Sequence, residues 1–229
     1  MANIILNTSC NLRCPYCFAE ECISAYKDEE ISVDNFIKAM NFIAQTETIV
    51  GVIGGEPTTH PKFRQLFSLL LNNERVHKIV LYTNGTNLYP FMDLITNPKV
   101  GTLVNFNSPA TTGEEIYQQT IRNIEQVLKY HPNGRSGIYL GYNIWQEDPD
   151  IDHIVEALMR FDMHYLRIST VVPNSCDKRG IKPLEYFEKM KPGVMKLLKK
   201  LEPLEVLPFS DCNYIPLCVW TEEEQRWIR

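Results

Sequence analysis

Four of the seven cysteines crowd into thirteen positions near the start of the 229-residue chain: Cys10, Cys14, Cys17 and Cys22. Thiolates are soft ligands, so a cluster of this kind points first to metal or redox chemistry. Cys10, Cys14 and Cys17, at spacings of four and three residues, can converge on one iron–sulfur cube and leave one iron open to a small chelating molecule. With Cys22 as a fourth ligand, the same segment reads as a structural zinc module or a closed, ferredoxin-like electron carrier. A chance grouping is the remaining alternative. Zinc sites more often pair two Cys-x-x-Cys hairpins, and only Cys14 and Cys17 form such a pair. An odd cysteine count with no secretory leader at the N-terminus fits poorly with a disulfide framework.

A second segment, Gly54-Gly55-Glu56-Pro57-Thr58, follows an apolar run. Two glycines at a strand end let a ligand approach the backbone, and a carboxylate or carbonyl beside them can accept hydrogen bonds from an ammonium group. Taken alone, such a string is as readily a simple turn.

The elements that must carry these segments alternate. Strand-like apolar runs cover residues 3–7, 48–53, 78–83, 102–107, 137–144 and 165–172. Helical patterns lie between and after them at residues 33–46, 61–72, 89–96, 113–130, 151–161 and 184–201, with Ser32 as an N-cap and Pro61 in a first turn. Alternating strand and helix predicts an α/β fold built on a parallel sheet. Periodicity leaves an open sheet and a barrel equally available. In both, the loops that follow the strands gather on one face, so the cysteine loop and the Gly-Gly loop, one unit apart, point at one pocket.

Composition narrows the class. With 44% hydrophobic and 22% charged residues the chain is ordinary globular material, and no run approaches the roughly 20 apolar residues of a membrane span. A net charge of −5 argues against a general nucleic-acid binder. The expectation is a cytoplasmic soluble protein. Lys189, Lys191, Lys196, Lys199 and Lys200 read as the solvated face of the last long helix, Trp145, Trp220 and Trp227 as packing residues, and His60 and His77 as surface residues.

Cys10, Cys14 and Cys17, with Tyr16 before the last cysteine, resemble the signature of radical S-adenosylmethionine (SAM) enzymes. Residues 54–57 resemble that superfamily's SAM-amine motif, and Thr83-Asn84-Gly85 its usual ending of the third strand. The resemblance spans about residues 3–172. It implies a partial, TIM-like (β/α)6 barrel, a 4Fe–4S cluster on the three cysteines, and SAM at the open iron. It further implies that an external one-electron reductant drives SAM cleavage to a 5′-deoxyadenosyl radical, which takes hydrogen from a substrate. By resemblance, Gly54, Gly55, Glu56 and Pro57 receive the SAM amine, Tyr16 and Phe18 flank the adenine, and Thr83 and Asn84 lie beside the cofactor. Asn107, Asn143, Arg167 and Ser169, at later strand ends, are candidates for the SAM ribose or carboxylate, or else satisfied polar groups of a barrel mouth. The fourth strand departs from the family here, carrying Asn105-Phe106-Asn107-Ser108-Pro109 where Ser-x-Asp-Gly is common.

The expected division is a barrel core over residues 1–201 and an irregular C-terminal extension over 202–229. Cys212 and Cys218 in that extension are loosely similar to the auxiliary-cluster cysteines of SPASM or twitch extensions. They read either as ligands of a second iron–sulfur cluster completed by residues beyond Arg229, or as two free thiols, one packed under Trp220. Thr221 and Glu224 look like a capping box that opens a helix. The substrate is expected to be a peptide or a small molecule, the peptide resting on the extension alone.

Overall fold

Parallel strands with helices between them recur along the molecule. The structure, a computed structural model, describes residues 1–17, 19–26, 28–171, 182–210 and 215–227. The chain divides into two compact units, Met1–Tyr139 and Leu140–Arg229. In the first, β1 (Ala2–Ile5), β2 (Ile49–Ile53), β3 (Lys78–Thr83) and β4 (Val100–Asn105) pair in sequence order, all parallel. One row of the register runs Ala2, Val50, Ile79, Val100. Val50, Val52, Ile79, Leu81 and Val104 are fully buried, the near-continuous apolar run that a parallel strand covered on both faces requires.

The helices of this unit are α1 (Glu20–Ala25), α2 (Val33–Ile43), α3 (Phe63–Leu71), α4 (Met92–Ile95), α5 (Pro109–Thr112) and α6 (Glu114–Tyr130). Ser32 caps α2 as expected, its hydroxyl accepting the Asn35 N–H at 3.2 Å. Helix α3 buries Phe63, Leu66, Phe67 and Leu70, a stripe at helical spacing. Helix α6 buries Ile121, Ile124 and Val127, and between them Asn123, whose amide donates to the carbonyls of Gly85 at 2.8 Å and Thr86 at 3.0 Å. Those two bonds hold the loop leaving β3. Gly85 has φ +79°, and a Cβ there would stand 2.8 Å from Val104, so only glycine suits the turn.

The second unit takes over within β5 (Ile138–Ile144) and continues through α7 (Asp152–Arg160), β6 (Tyr165–Thr170), α8 (Pro183–Leu201) and β7 (Leu207–Phe209). Its strands are also parallel, with Leu140 opposite Leu166 and Tyr165 opposite Leu207.

The six expected helices are found, most with slightly shorter ends; α8 starts one residue earlier than expected, and the third is a 3-10 turn over Tyr89–Phe91 that runs into the short α4. The fourth strand lies two residues earlier than expected, which leaves Asn107 in the loop beyond it. The extension is not irregular throughout. After α8 the chain turns through Glu205 at φ +54°, and Leu207 donates to the His164 carbonyl at 2.8 Å, starting β7 beside β6. The capping box forms between Thr221 and Glu224 but opens only a 3-10 turn, and Glu224 also accepts from Lys191 at 3.0 Å. His60 is not a surface residue. It is 3% exposed, with Nε2 at the Ile31 carbonyl and Nδ1 accepting the Lys62 N–H, because the turn after β2 carries it inward. His77 is exposed, as expected. Trp220 is buried, whereas Cys218 is exposed and not packed beneath it. Helix α1 was not anticipated, being too short to show a helical period. Cys176 lies outside the described residues. Among the described residues, no helix is long and apolar enough to cross a membrane.

Replacing Asn123 by leucine strands the Gly85 carbonyl inside the fold and leaves the Thr86 carbonyl with Gln119 Nε2, at 2.7 Å, as its remaining side-chain donor. The variant is expected to lose about 1–3 kcal/mol of unfolding free energy, read by urea denaturation.

Candidate functional site: a thiol loop zipped to two strand ends

Because β1 to β4 run parallel, the segments that follow them leave one edge of the first unit. The thiol loop follows β1, Gly54 to Pro57 follow β2, Thr83 and Asn84 end β3, and Asn107 follows β4.

The first two segments are laced together. The N–H of Gly55 donates to the Asn7 carbonyl at 2.9 Å, and that of Glu56 to the Ser9 carbonyl at 2.7 Å. From the other side the Asn7 amide donates to the Glu56 carbonyl at 3.2 Å and to the Thr59 hydroxyl at 2.9 Å. The two glycines have a reason that the sequence did not show. A Cβ on Gly54 would stand 2.4 Å from Asn7 Oδ1, and one on Gly55 would stand 2.2 Å from the Ser9 carbonyl oxygen. Their space is filled by the chain that leads into Cys10. Backbone approaching backbone sets where the thiol loop begins.

Glu56 is 1% exposed and its carboxylate is turned into the protein. Oε1 accepts from the Thr58 N–H at 3.1 Å, the Thr58 hydroxyl at 2.6 Å and the Thr83 hydroxyl at 2.8 Å, while Oε2 accepts the Asn84 N–H at 2.7 Å. Burial pushes its pKa up, and these four donors pull against that rise. The carboxylate is therefore occupied in joining β2 to β3. Pro57 opens the short 3-10 turn that Glu56 caps, a position that needs no N–H. The Gly54 and Gly55 carbonyls accept no hydrogen bond from a described residue. Of the two acceptors expected for an ammonium group, the backbone carbonyls are the ones left available.

Asn84 then ties β3 to the thiol loop through a closed ring of hydrogen bonds. Its amide nitrogen donates to Asn11 Oδ1 at 2.8 Å, Asn11 donates to the Thr86 hydroxyl at 2.8 Å, and Thr86 donates back to Asn84 Oδ1 at 2.7 Å. Asn84 Nδ2 also stands 4.0 Å from Cys10 Sγ. From β4, Asn107 Nδ2 stands 3.8 Å from Cys14 Sγ, and its Oδ1 accepts from the Tyr16 hydroxyl. Burial pushes the Cys14 thiol up to about 11, helped by the charge of Cys10 and opposed by hydrogen bonds from Tyr16 and Asn107. Burial likewise raises Cys10, with the Glu56 carboxylate adding to the rise and the Leu12 N–H and Asn84 opposing it.

Among the described residues, no three Cys, His, Asp or Glu side chains are grouped so that they could hold one metal ion. The three thiols nonetheless feel one another's charge. Three cysteines that can each ligate a different iron are the donor set a 4Fe–4S cluster uses.

In the second unit, Arg167 Nη1 donates to Asn143 Oδ1 at 2.9 Å, and Asn143 stands opposite Ser169 across β5 and β6. Arg167 and Ser169 are both buried. The three candidates expected there do come together. Phe18 and Cys212 lie outside the described residues, as does the side chain of Cys22.

Comparison with known proteins gives this constellation its class. Residues 4–153 match the family model of the radical SAM superfamily, about two thirds of the chain. The chain belongs to the radical SAM superfamily of enzymes. It is 27% identical over 129 residues to the GTP 3′,8-cyclases of Actinobacillus pleuropneumoniae serotypes 3 and 7, a match covering 52% of this chain and 38% of theirs. The chain thus matches well under half the length of these curated relatives. Among solved structures, anSMEcpe with bound AdoMet superposes with a TM-score of 0.67 at 15% identity, over 90% of this chain and 62% of that one. Streptococcus suis SuiB does so at 0.65 and 13%, over 93% and 50%. SuiB has also been solved with its precursor peptide SuiA, at a TM-score of 0.63. Likeness at that identity shows the fold, the α/β partial barrel with parallel strands.

Sequence reasoning missed Asn7, Asn11, Thr58, Thr59 and Thr86. Their only signal was polarity at strand exits, which any loop shares.

Two outcomes follow from this geometry. In Glu56→Gln the amide nitrogen must face either the Thr58 or the Asn84 N–H, so the variant should unfold about 1–3 kcal/mol more easily in urea. Ligation requires thiolates, and both raised thiols hold their protons at neutral pH, so iron uptake per chain during reconstitution should climb as pH rises from about 7 toward the Cys14 value of about 11.

Proposed function

We propose that this chain is the SAM-cleaving part of a radical SAM enzyme, with a 4Fe–4S cluster on Cys10, Cys14 and Cys17. One observation carries the reading: the entry to the thiol loop, residues 7–9, is bonded to the segment whose glycyl carbonyls accept no hydrogen bond from a described residue. When bound, the cluster would supply the single electron that splits SAM into methionine and a 5′-deoxyadenosyl radical.

The protein's part is placement. The Gly54 and Gly55 carbonyls would take the SAM ammonium, held in register with Cys10 by the bonds to Asn7 and Ser9. Glu56 would act by keeping the ends of β2 and β3 together, leaving no charge exposed to compete for that ammonium. Tyr16 and Phe18 are assigned to the adenine region, Thr83 and Asn84 to the cofactor's flank. Arg167, carried with Asn143 and Ser169, is assigned to the SAM carboxylate or ribose. The electron comes from an external one-electron reductant.

For substrate we favour a peptide. SuiB, which shares this fold over 93% of the chain, has been solved bound to a precursor peptide. Residues 1–201 form the core in this reading. Residues 202–229, with β7 as their first strand, begin an extension in which Cys212 and Cys218 hold a second cluster. The enzyme is assigned to the cytoplasm, free of membrane and of nucleic acid.

Anaerobic reconstitution with iron and sulfide, then SAM and dithionite, tests the reading. Release of 5′-deoxyadenosine is expected, and Cys14→Ser should abolish it. A cluster-loaded chain that leaves SAM intact would refute the activity. About eight irons per chain support the second cluster, and about four reject it.

A further inference from the structure

Asn84 and Asn107 share a bonding scheme. Each amide oxygen is already held by donors: Asn84 Oδ1 by the Thr86 N–H at 3.0 Å and the Thr86 hydroxyl at 2.7 Å, Asn107 Oδ1 by the Tyr16 hydroxyl. Each nitrogen gives one hydrogen to an oxygen, Asn84 to Asn11 Oδ1 at 2.8 Å and Asn107 to the Asn105 carbonyl at 3.4 Å. The second hydrogen of each goes to a cysteine sulfur, Cys10 for Asn84 at 4.0 Å and Cys14 for Asn107 at 3.8 Å. Because the oxygen ends are pinned independently, neither amide can turn over without losing its bonds. The N–H groups face the sulfurs before any metal arrives.

We infer that Asn84 and Asn107 set the reduction potential of the cluster by donating hydrogen bonds to two of its ligating sulfurs, a role that rests on the cluster reading above. The physics has a definite sign. Reduction adds one negative charge, part of which spreads onto the sulfurs, and an N–H dipole aimed at sulfur stabilises the reduced form more than the oxidised one. Both amides therefore raise the potential, easing electron transfer from the external reductant. Tyr16 bears on Cys14 itself as well as on Asn107, whose Oδ1 its hydroxyl meets. The departure from the family pattern at the end of the fourth strand thereby acquires a function: the asparagine there is directed at sulfur.

The test is an EPR-monitored redox titration of the reconstituted full chain, alongside Asn107→Leu, Asn84→Leu and Tyr16→Phe, with iron counted in every sample. At a fixed poise each leucine variant should show about a tenfold lower ratio of reduced to oxidised cluster, equal to about 59 mV for a one-electron couple. Tyr16→Phe should shift the same way by less. Resonance Raman supplies a second readout: iron–sulfur stretches that move on deuteration in the parent should stop moving in Asn107→Leu. A purely structural role would lower iron content or melting temperature and leave the midpoint of the loaded fraction in place. If a leucine variant cannot retain its cluster, the serine variant at that position, too short to reach the sulfur, takes its place under the same criterion. Fully loaded variants with the parent midpoint and parent deuterium shifts overturn the inference while the cluster reading stands. A parent chain that takes up no cluster overturns both.

Discussion

A carboxylate sealed from solvent holds the site together. Glu56 is a charged group placed where charge is expensive, with four short bonds to backbone and hydroxyl donors on two strand exits in return. Its own N–H and carbonyl reach the third exit, through Ser9 and Asn7. One residue thus fixes the ends of β1, β2 and β3 relative to one another. The proposed site, which would hold an iron–sulfur cluster and a sulfonium in register, needs that rigidity, since small displacements at a reacting centre are costly.

The same carboxylate shapes the electrostatics of the thiols. It lies close enough to Cys10 to raise its pKa, and the neighbouring cysteines add to the rise of Cys10 and Cys14. The opposing influences on Cys10 and Cys14 are N–H and O–H dipoles from Leu12, Asn84, Asn107 and Tyr16. Such donors suit a redox site. A full positive charge beside the sulfurs would favour loading but would also form a permanent ion pair with them. Dipoles fixed by other bonds stabilise added charge without reorganising when it arrives.

The chain's likeness to known enzymes differs in extent between sequence and fold. The family model covers residues 4–153, which hold the thiol loop, the Gly-Gly segment and the amide ring. The fold likeness reaches over 90% or more of the chain at 13–15% identity. Parallel strands buried on both faces accept many apolar sequences, whereas the packing of Gly54 and Gly55 on residues 7–9 accepts only glycine.

Amino-acid order alone determined the alternation of strands and helices, the three-thiol spacing and the succession of motifs at strand ends. Each of these is a local pattern: an apolar period, a cap, a run of cysteines. Tertiary structure decided where the polar groups at those ends point. Glu56 turned inward, His60 was buried, the glycines proved to be contact points between loops, and β7 formed in a stretch that had looked irregular. Asn107 meets Cys14 across 93 positions of chain and Asn84 meets Cys10 across 74. Partners so far apart are set by the register of parallel strands, to which no short window of sequence has access.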